Sequence, residues 1–224
     1  MPHHSAFVFL AFLGSCLLII ASVLSIAAAL ALRKKTVAKR LAVIGVAWCG
    51  LYLTVLVTTS LGSNDRVLGL NELKYFCEVD CHLAYSIVNV TTARSLGPGP
   101  DSVNANGLFH VVQFKIWFDK DTIAPWRPDA ALAPSPRTVV VLDGQGRTFE
   151  PSQKGLAAYQ AETGNVASWH QPLRPGESYQ TALVFDLPED ARNCRVWITD
   201  SDWASQFIIG HEKSLLHGKI TFRL

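Results

Sequence analysis

Two uninterrupted apolar runs constrain this chain more than anything else in it. Residues 6–32 are 27 positions without a charged side chain, and residues 41–63 are 23 more. About 20 apolar residues suffice to cross a bilayer as a helix, because lipid offers the backbone polar groups no partner outside the segment. Both runs reach that length. No Asp or Glu precedes Asp65, and the cations Arg33, Lys34, Lys35, Lys39 and Arg40 crowd the eight positions between the runs. Lys and Arg accumulate in loops on the cytoplasmic side. The pattern predicts a two-pass helical hairpin in a bacterial cytoplasmic (inner) membrane, with loop 33–40 inside and both termini on the periplasmic side. The first partner is then the lipid bilayer. A cleaved signal peptide fits poorly, since Met1-Pro2-His3-His4-Ser5 carries no Lys or Arg and the apolar run is too long.

Small residues recur at four-residue spacing in both runs: Ala21, Ser25 and Ala29 in the first, Gly45 and Cys49 in the second. Such faces allow close helix approach. Neither run holds an ionisable acid or base of the kind that marks a proton path or an ion channel.

After Ser63 the chain changes character. Fifteen Lys and Arg face 18 Asp and Glu there, a net −3, so the overall +2 comes from the short basic loop alone. That balance excludes a nucleic-acid reader working through a basic face. The apolar pattern becomes alternating. Leu83, Tyr85 and Ile87 line one side of 82–92, and Val112, Phe114, Ile116 and Phe118 one side of 108–118. Strict alternation predicts half-buried strands. Thr138–Leu142 is a β-branched run, closed by Asp143-Gly144-Gln145-Gly146 as a tight hairpin. Residues 147–150, 179–187, 194–199 and 219–224 supply further strands, a short helix is expected around 156–162, and the Pro-rich stretch 119–137 reads as a loop. Seven or so short strands with turns between them predict an antiparallel β-sandwich. The expected fold class is thus a membrane-anchored all-β protein. Its parts are a transmembrane hairpin over 1–63, a linker and Cys-containing segment over 64–80, and an extracytoplasmic Ig-like sandwich over 81–224.

The hairpin Asp143, Gly146, Phe149, the turn Leu173, Pro175, Gly176, Glu177, Ser178 and the strand Val184, Phe185, Asp186, Leu187, Pro188 follow one another in order. This order resembles the telokin-like, immunoglobulin-like sandwich of bacterial lipoproteins and membrane-anchored surface proteins of unknown function. The resemblance covers roughly 81–224 and implies a fold. It brings no catalytic signature.

One stretch, Lys74-Tyr75-Phe76-Cys77-Glu78-Val79-Asp80-Cys81-His82, gathers thiols, carboxylates and an imidazole. Three readings compete for it. In an oxidising compartment two of Cys77, Cys81 and Cys194 are candidates for a disulfide. Cys77, Cys81 and His82 are alternatively candidate metal ligands, since thiolate and imidazole donors favour copper or zinc, and copper is the cofactor of this reading. The two-helix hairpin with a β-rich outer domain also resembles, in outline, subunit II of haem–copper oxidases. There, however, the Cys-x3-Cys pair closes the domain and a ligand His follows four residues later, so the copper motif does not match. The third reading is a redox thiol pair, although the thioredoxin spacing is missing.

Weaker motifs fall away. His211 and His217 are six residues apart, and a zincin helix needs four. Asp200-Ser201-Asp202 lacks the rest of an EF-type loop. Trp126, Trp169 and Trp203 fall near predicted loops and are candidates for a partner surface or the membrane boundary, while Trp197 is expected between the sheets. The functional expectation is a non-enzymatic accessory or stabilising subunit of a larger membrane complex, respiratory or photosynthetic. The alternative is a copper-handling or thiol-redox factor.

Overall fold

A computed structural model describes residues 3–78 and 80–224, with side chains from Val8 onward. Its contacts divide the chain into two units. The first holds the helices to Asn64 together with Asp202–Lys219, and the second holds Asp65–Ser201 with Ile220–Leu224.

In the first unit the apolar runs form α1 (His3–Ala31) and α2 (Lys35–Leu61). Leu, Ala and Ile runs free of Pro propagate a helix readily. The chain reverses between them through Arg33, which takes φ +55°. Both helices are long and apolar enough to cross a membrane. They meet along a seam of Ala38, Ala42, Gly45, Cys49, Tyr52, Leu56 and Ser60 on α2, all buried or half-buried. That alternating three- and four-residue spacing is the seam of a helix pair. A Cβ added to Gly45 would lie 3.8 Å from Ser22 Cβ, so the small residue sits where the helices approach. Gly45, Cys49 and Ala29 share in the packing as expected, whereas Ala21 and Ser25 are exposed. Ser15, Ser22, Ile26 and Ala29 form the α1 side instead.

The second unit is a β-sandwich. One sheet has the order β2 (Lys74–Cys77), β3 (His82–Leu96), β4 (Val103–Asp119), β7 (Ser178–Leu187). The other runs β1 (Arg66–Leu68), β9 (Ile220–Arg223), β8 (Arg195–Asp200), β5 (Arg137–Leu142), β6 (Thr148–Phe149). All pairings are antiparallel except β1 with β9. Alternation decides the core. Leu83, Tyr85, Ile87, Val112, Phe114, Ile116 and Phe118 meet Val139, Val141, Val196, Ile198 and Phe222, all under 8% exposed. Trp197 stands between Val196 and Ile198 and so points to the opposite face of β8. The expected position between the sheets belongs to its two neighbours.

The helix expected near 156–162 is α3 (Gln153–Thr163), capped by Ser152, whose Oγ accepts from Gly155 N at 3.1 Å. It covers a second apolar cluster of Phe109, Val111, Ala182 and Val184. The structure differs from the expected layout in two respects. The stretch read as a linker holds β1 and β2, both paired into the sheets. The stretch between β8 and β9 leaves the sandwich unit for the helical one.

Candidate functional site

The chemistry-rich segment lies where β2 turns into β3, and Val79 within it is outside the described residues. Strand alternation separates its groups. Phe76 and Cys81 enter the core, while Cys77 is exposed. Cys77 and His82 are cross-strand partners and share one face. The Cys81 thiol donates to Glu78 O at 3.9 Å, and burial pushes its pKa up to about 12. Burial also lowers the His82 pKa and keeps the ring neutral, with Nδ1 enclosed and lacking a hydrogen-bond partner.

The expected disulfide is not formed, and all five cysteines are unbridged thiols. Cys77 is exposed at the end of β2, whereas Cys81, in the turn before β3, is buried. Cys194 immediately precedes β8, about 20 Å at strand rise from Asp200, and Asp200 is the end of that strand nearest Glu78 through Arg137. A bridge needs Cα atoms within about 7 Å. Among the described residues no three His, Cys, Asp or Glu side chains come together to hold a metal ion. The triplet Cys77, Cys81 and His82 therefore does not converge on one point.

What does converge is a belt of ion pairs. Glu78 is 7% exposed, and its Oε1 accepts from Arg137 Nη2 at 2.5 Å and from Ser135 N at 3.3 Å. Its Oε2 accepts from Ser135 Oγ, and Arg137 also pairs with Asp200. The Arg137 guanidinium rests 4.5 Å over the Phe76 ring. Arg127 Nη1 lies 2.6 Å from both Asp80 oxygens, and its guanidinium packs 5.5 Å over Phe118. Lys74 of β2 is 4% exposed and donates to Ile198 O at 2.6 Å and Ile220 O at 2.8 Å, tying one sheet to the other. The hydrogen bond from Arg127 holds the Asp80 carboxyl below the usual carboxylate range. The acidic and basic groups here pin the β2–β3 connection to the Pro-rich loop 124–137. Sequence reading noted the carboxylates but not their partners, which lie 47 to 59 residues further on.

The residues that carried the family resemblance are turn builders. Asp143 Oδ1 accepts from Gln145 N at 2.9 Å and Arg147 N at 2.8 Å, and Gly146 has φ +80°. Glu177 Oε2 accepts from Arg174 N at 2.8 Å, closing the turn through Gly176, with φ +83°. Of the three indoles, Trp126 and Trp203 are 79% and 70% exposed. Trp169 packs instead against Tyr85 and Phe114 at ring distances of 5.8 and 5.1 Å. A cleft of about 400 Å³ at the other end of the sandwich places His110 beside Cys194 and Arg192, a grouping that no sequence spacing announced. Burial raises the Cys194 thiol pKa and lowers that of His110, so both are neutral.

No protein-family model matches the chain, and no curated protein matches it. Among solved structures it is similar to the secreted protein MPT63 of Mycobacterium tuberculosis, at 8% identity over 71% of this chain and 98% of that one, with a TM-score of 0.44. It is also similar to the yjhA protein of Bacillus subtilis, at 9% identity over 70% and 98% of the two chains (TM-score 0.41). A third is an uncharacterized β-sandwich protein of Clostridium difficile, at 10% identity over 72% and 95% (TM-score 0.40).

Proposed function

We propose that this chain is a two-pass protein of a bacterial cytoplasmic membrane that holds an Ig-like, telokin-like sandwich on the periplasmic side. There it serves as a non-catalytic binding or stabilising subunit of a larger membrane complex. One observation carries the reading: only 6% of each helix's most apolar window is buried. A core helix of a water-soluble protein buries most of such a window. Here Leu10, Leu17, Leu24, Val46 and Leu51 are all more than half exposed. Lipid tails or the helices of a partner satisfy that surface. The basic loop 33–40 sets the orientation through the excess of cations on the cytoplasmic side.

The outer unit supports a binding role. The acids of its most chemistry-rich segment are committed to ion pairs, and the Cys81 thiol is held protonated. That segment is built for rigidity, and a rigid sandwich suits a docking module.

Two measurements test the proposal. A periplasm-active reporter fused after Leu224 is expected to be active, and a cytosol-active reporter there silent. The opposite pattern overturns the orientation. Mild detergent extraction at native abundance, followed by native gels and mass spectrometry, is expected to recover the chain in a larger assembly. Migration as a lone monomer overturns the subunit role.

A further inference from the structure

We infer that Asp202–Lys219, the excursion between β8 and β9, is a membrane-interface foot whose apolar side chains enter the lipid leaflet beside α2. The inference rests on the transmembrane reading of α2 and adds a second lipid-contacting element to it.

The segment approaches α2 and the residues just beyond it at three points. Tyr52 Oη donates to Phe207 O at 2.7 Å, and Gly218 N donates to Ser63 Oγ at 2.7 Å. Between these, a Cβ at Gly210 would lie 3.9 Å from Thr59 Cγ2. Tyr52 is nine residues before the helix ends at Leu61, about 14 Å along the axis at helical rise. The segment thus runs beside the last turns of the helix, and Gly218 returns to its end.

The segment is also built inside out. A loop in water exposes its polar atoms and buries its apolar ones. Here Ser205 and Ser214 are each 4% exposed, while Trp203, Phe207, Leu215 and Leu216 are 70%, 42%, 65% and 61% exposed. Its polar groups answer one another. Asp202 Oδ1 accepts from Ala204 N at 2.9 Å, and Asp202 O from Ser205 Oγ at 2.6 Å and Lys213 Nζ at 2.7 Å. Ser214 Oγ donates to Ile208 O at 2.6 Å. Successive turns use the N–H groups of Gln206, Ile208, His211, Ser214 and His217. Irregular backbone is not found bare in the hydrocarbon of a bilayer, so a segment whose polar groups answer one another in this way suits the boundary at the headgroups. Leu216 takes φ +64°, a conformation normally given to Gly or Asn, and presents an exposed apolar side chain from it. Trp203 and Phe207 pack edge to face at 5.9 Å, and an indole such as that of Trp203 favours the membrane–water interface. Two acids and two lysines (Asp202, Glu212, Lys213, Lys219) leave the segment formally neutral, so apolar contact and not charge is its means of attachment.

The test uses the full chain in liposomes of phosphatidylcholine brominated either near the headgroup end or near the tail end of its acyl chains. Bromine quenches tryptophan on contact, so its position reads depth. Trp48 on α2 and Trp203 on the foot are replaced one at a time by Phe. The exposed Trp203 accepts that change without loss of packing. Tail-end bromine is expected to quench wild type and Trp203→Phe equally, and Trp48→Phe at least twofold less. Headgroup-end bromine is expected to quench wild type, with Trp203→Phe losing at least half of that effect. If the Trp48 effect is present and Trp203→Phe leaves headgroup-end quenching unchanged, the foot does not touch lipid. A second copy or a protein partner covering Trp203 gives that same overturning result. If neither lipid quenches Trp48, the transmembrane reading itself fails and the foot falls with it.

Discussion

The Arg127 guanidinium clasps the Asp80 carboxylate, with Nη1 2.6 Å from both oxygens. The pair fastens the β2–β3 connection to the Pro-rich loop, and Ala124 N adds a bond to Asp80 O at 2.8 Å. Charge-assisted bonds of this kind are worth about 1.5–3 kcal/mol. Arg127→Met is expected to lower stability at pH 7 by about that amount. Because Arg127 depresses the Asp80 pKa, the contribution is complete above the unfolded value near ~3.9. It is lost as pH falls through the lower folded value. The gap between wild type and Arg127→Met should therefore narrow once the pH drops below about 4. Urea unfolding of the detergent-solubilised chain at neutral and acid pH, followed by near-ultraviolet circular dichroism, measures both gaps. An unchanged gap in acid would remove Asp80 as the partner.

Glu78 and Arg137 behave differently because both side chains are almost fully enclosed, at 5% and 4% exposure. Removing one partner of such a pair strands the other, at a cost of about 3–5 kcal/mol, whereas removing both costs much less. Glu78→Met and Arg137→Met are each expected to destabilise by that order. The double variant should fall well short of their sum, its remaining cost reflecting the loss of Arg137 from Asp200. A double-mutant cycle in urea is the measurement, and simple additivity would contradict the pairing.

How much of this was legible beforehand follows from the range of each interaction. The helices, the alternating strands and the Asp143 hairpin are local patterns of spacing 3.6, 2 and 4, and the sequence displays them directly. The ion-pair belt is not local, since Asp80 and Glu78 find partners at Arg127 and Arg137 only after the loop folds back. Cys77 and Cys81 looked like companions because they are near in sequence, yet one is exposed at the end of β2 and the turn that follows carries the other into the core. β1 and β2 were hidden by length, three and four residues, which is below what periodicity can register. The foot had a readable signal in Trp203, Phe207, Ile208, Leu215 and Leu216, a set of apolar residues in a turn-rich gap. The bonds that join it to Tyr52 and Ser63 show where it lies.

Gly107 tests the strand register. It sits on β4 where Asn106 N and Gly107 N donate to the Asp186 carboxylate at 2.9 and 3.1 Å. A Cβ there would collide with Leu187 O and Pro188 Cα. Both are backbone atoms of the neighbouring strand or its end and cannot swing aside. Gly107→Ala is expected to cost about 1–3 kcal/mol or more, by prising β4 from β7 at that end. Gly146 faces open space and suffers only from φ +80°, so Gly146→Ala should cost about 1 kcal/mol and Gly146→Asn less. Thermal melting should rank the three variants in that order. A Gly107→Ala as mild as Gly146→Asn would place the strand end differently.

The thiols give the most direct check on the chemistry. Burial raises the Cys81 pKa from 9.0 to about 12, so its thiolate fraction near neutral pH is about a thousandfold lower than that of an ordinary thiol. Its core position also bars reagents, while Cys77 on the outer face of β2 is open to them. Brief treatment of the native full chain with N-ethylmaleimide at pH 7.5 is expected to modify Cys77 and spare Cys81, which should react only after denaturation. Raising the pH to 9 should still spare Cys81 in the native chain, because the buried thiol remains overwhelmingly protonated there. Peptide mapping without reductant reads both positions and any bridge between them. Five alkylated cysteines after denaturation fit the unbridged arrangement. Recovery of Cys77 and Cys81 unalkylated and joined to each other would mean that a disulfide bridges the β2–β3 connection.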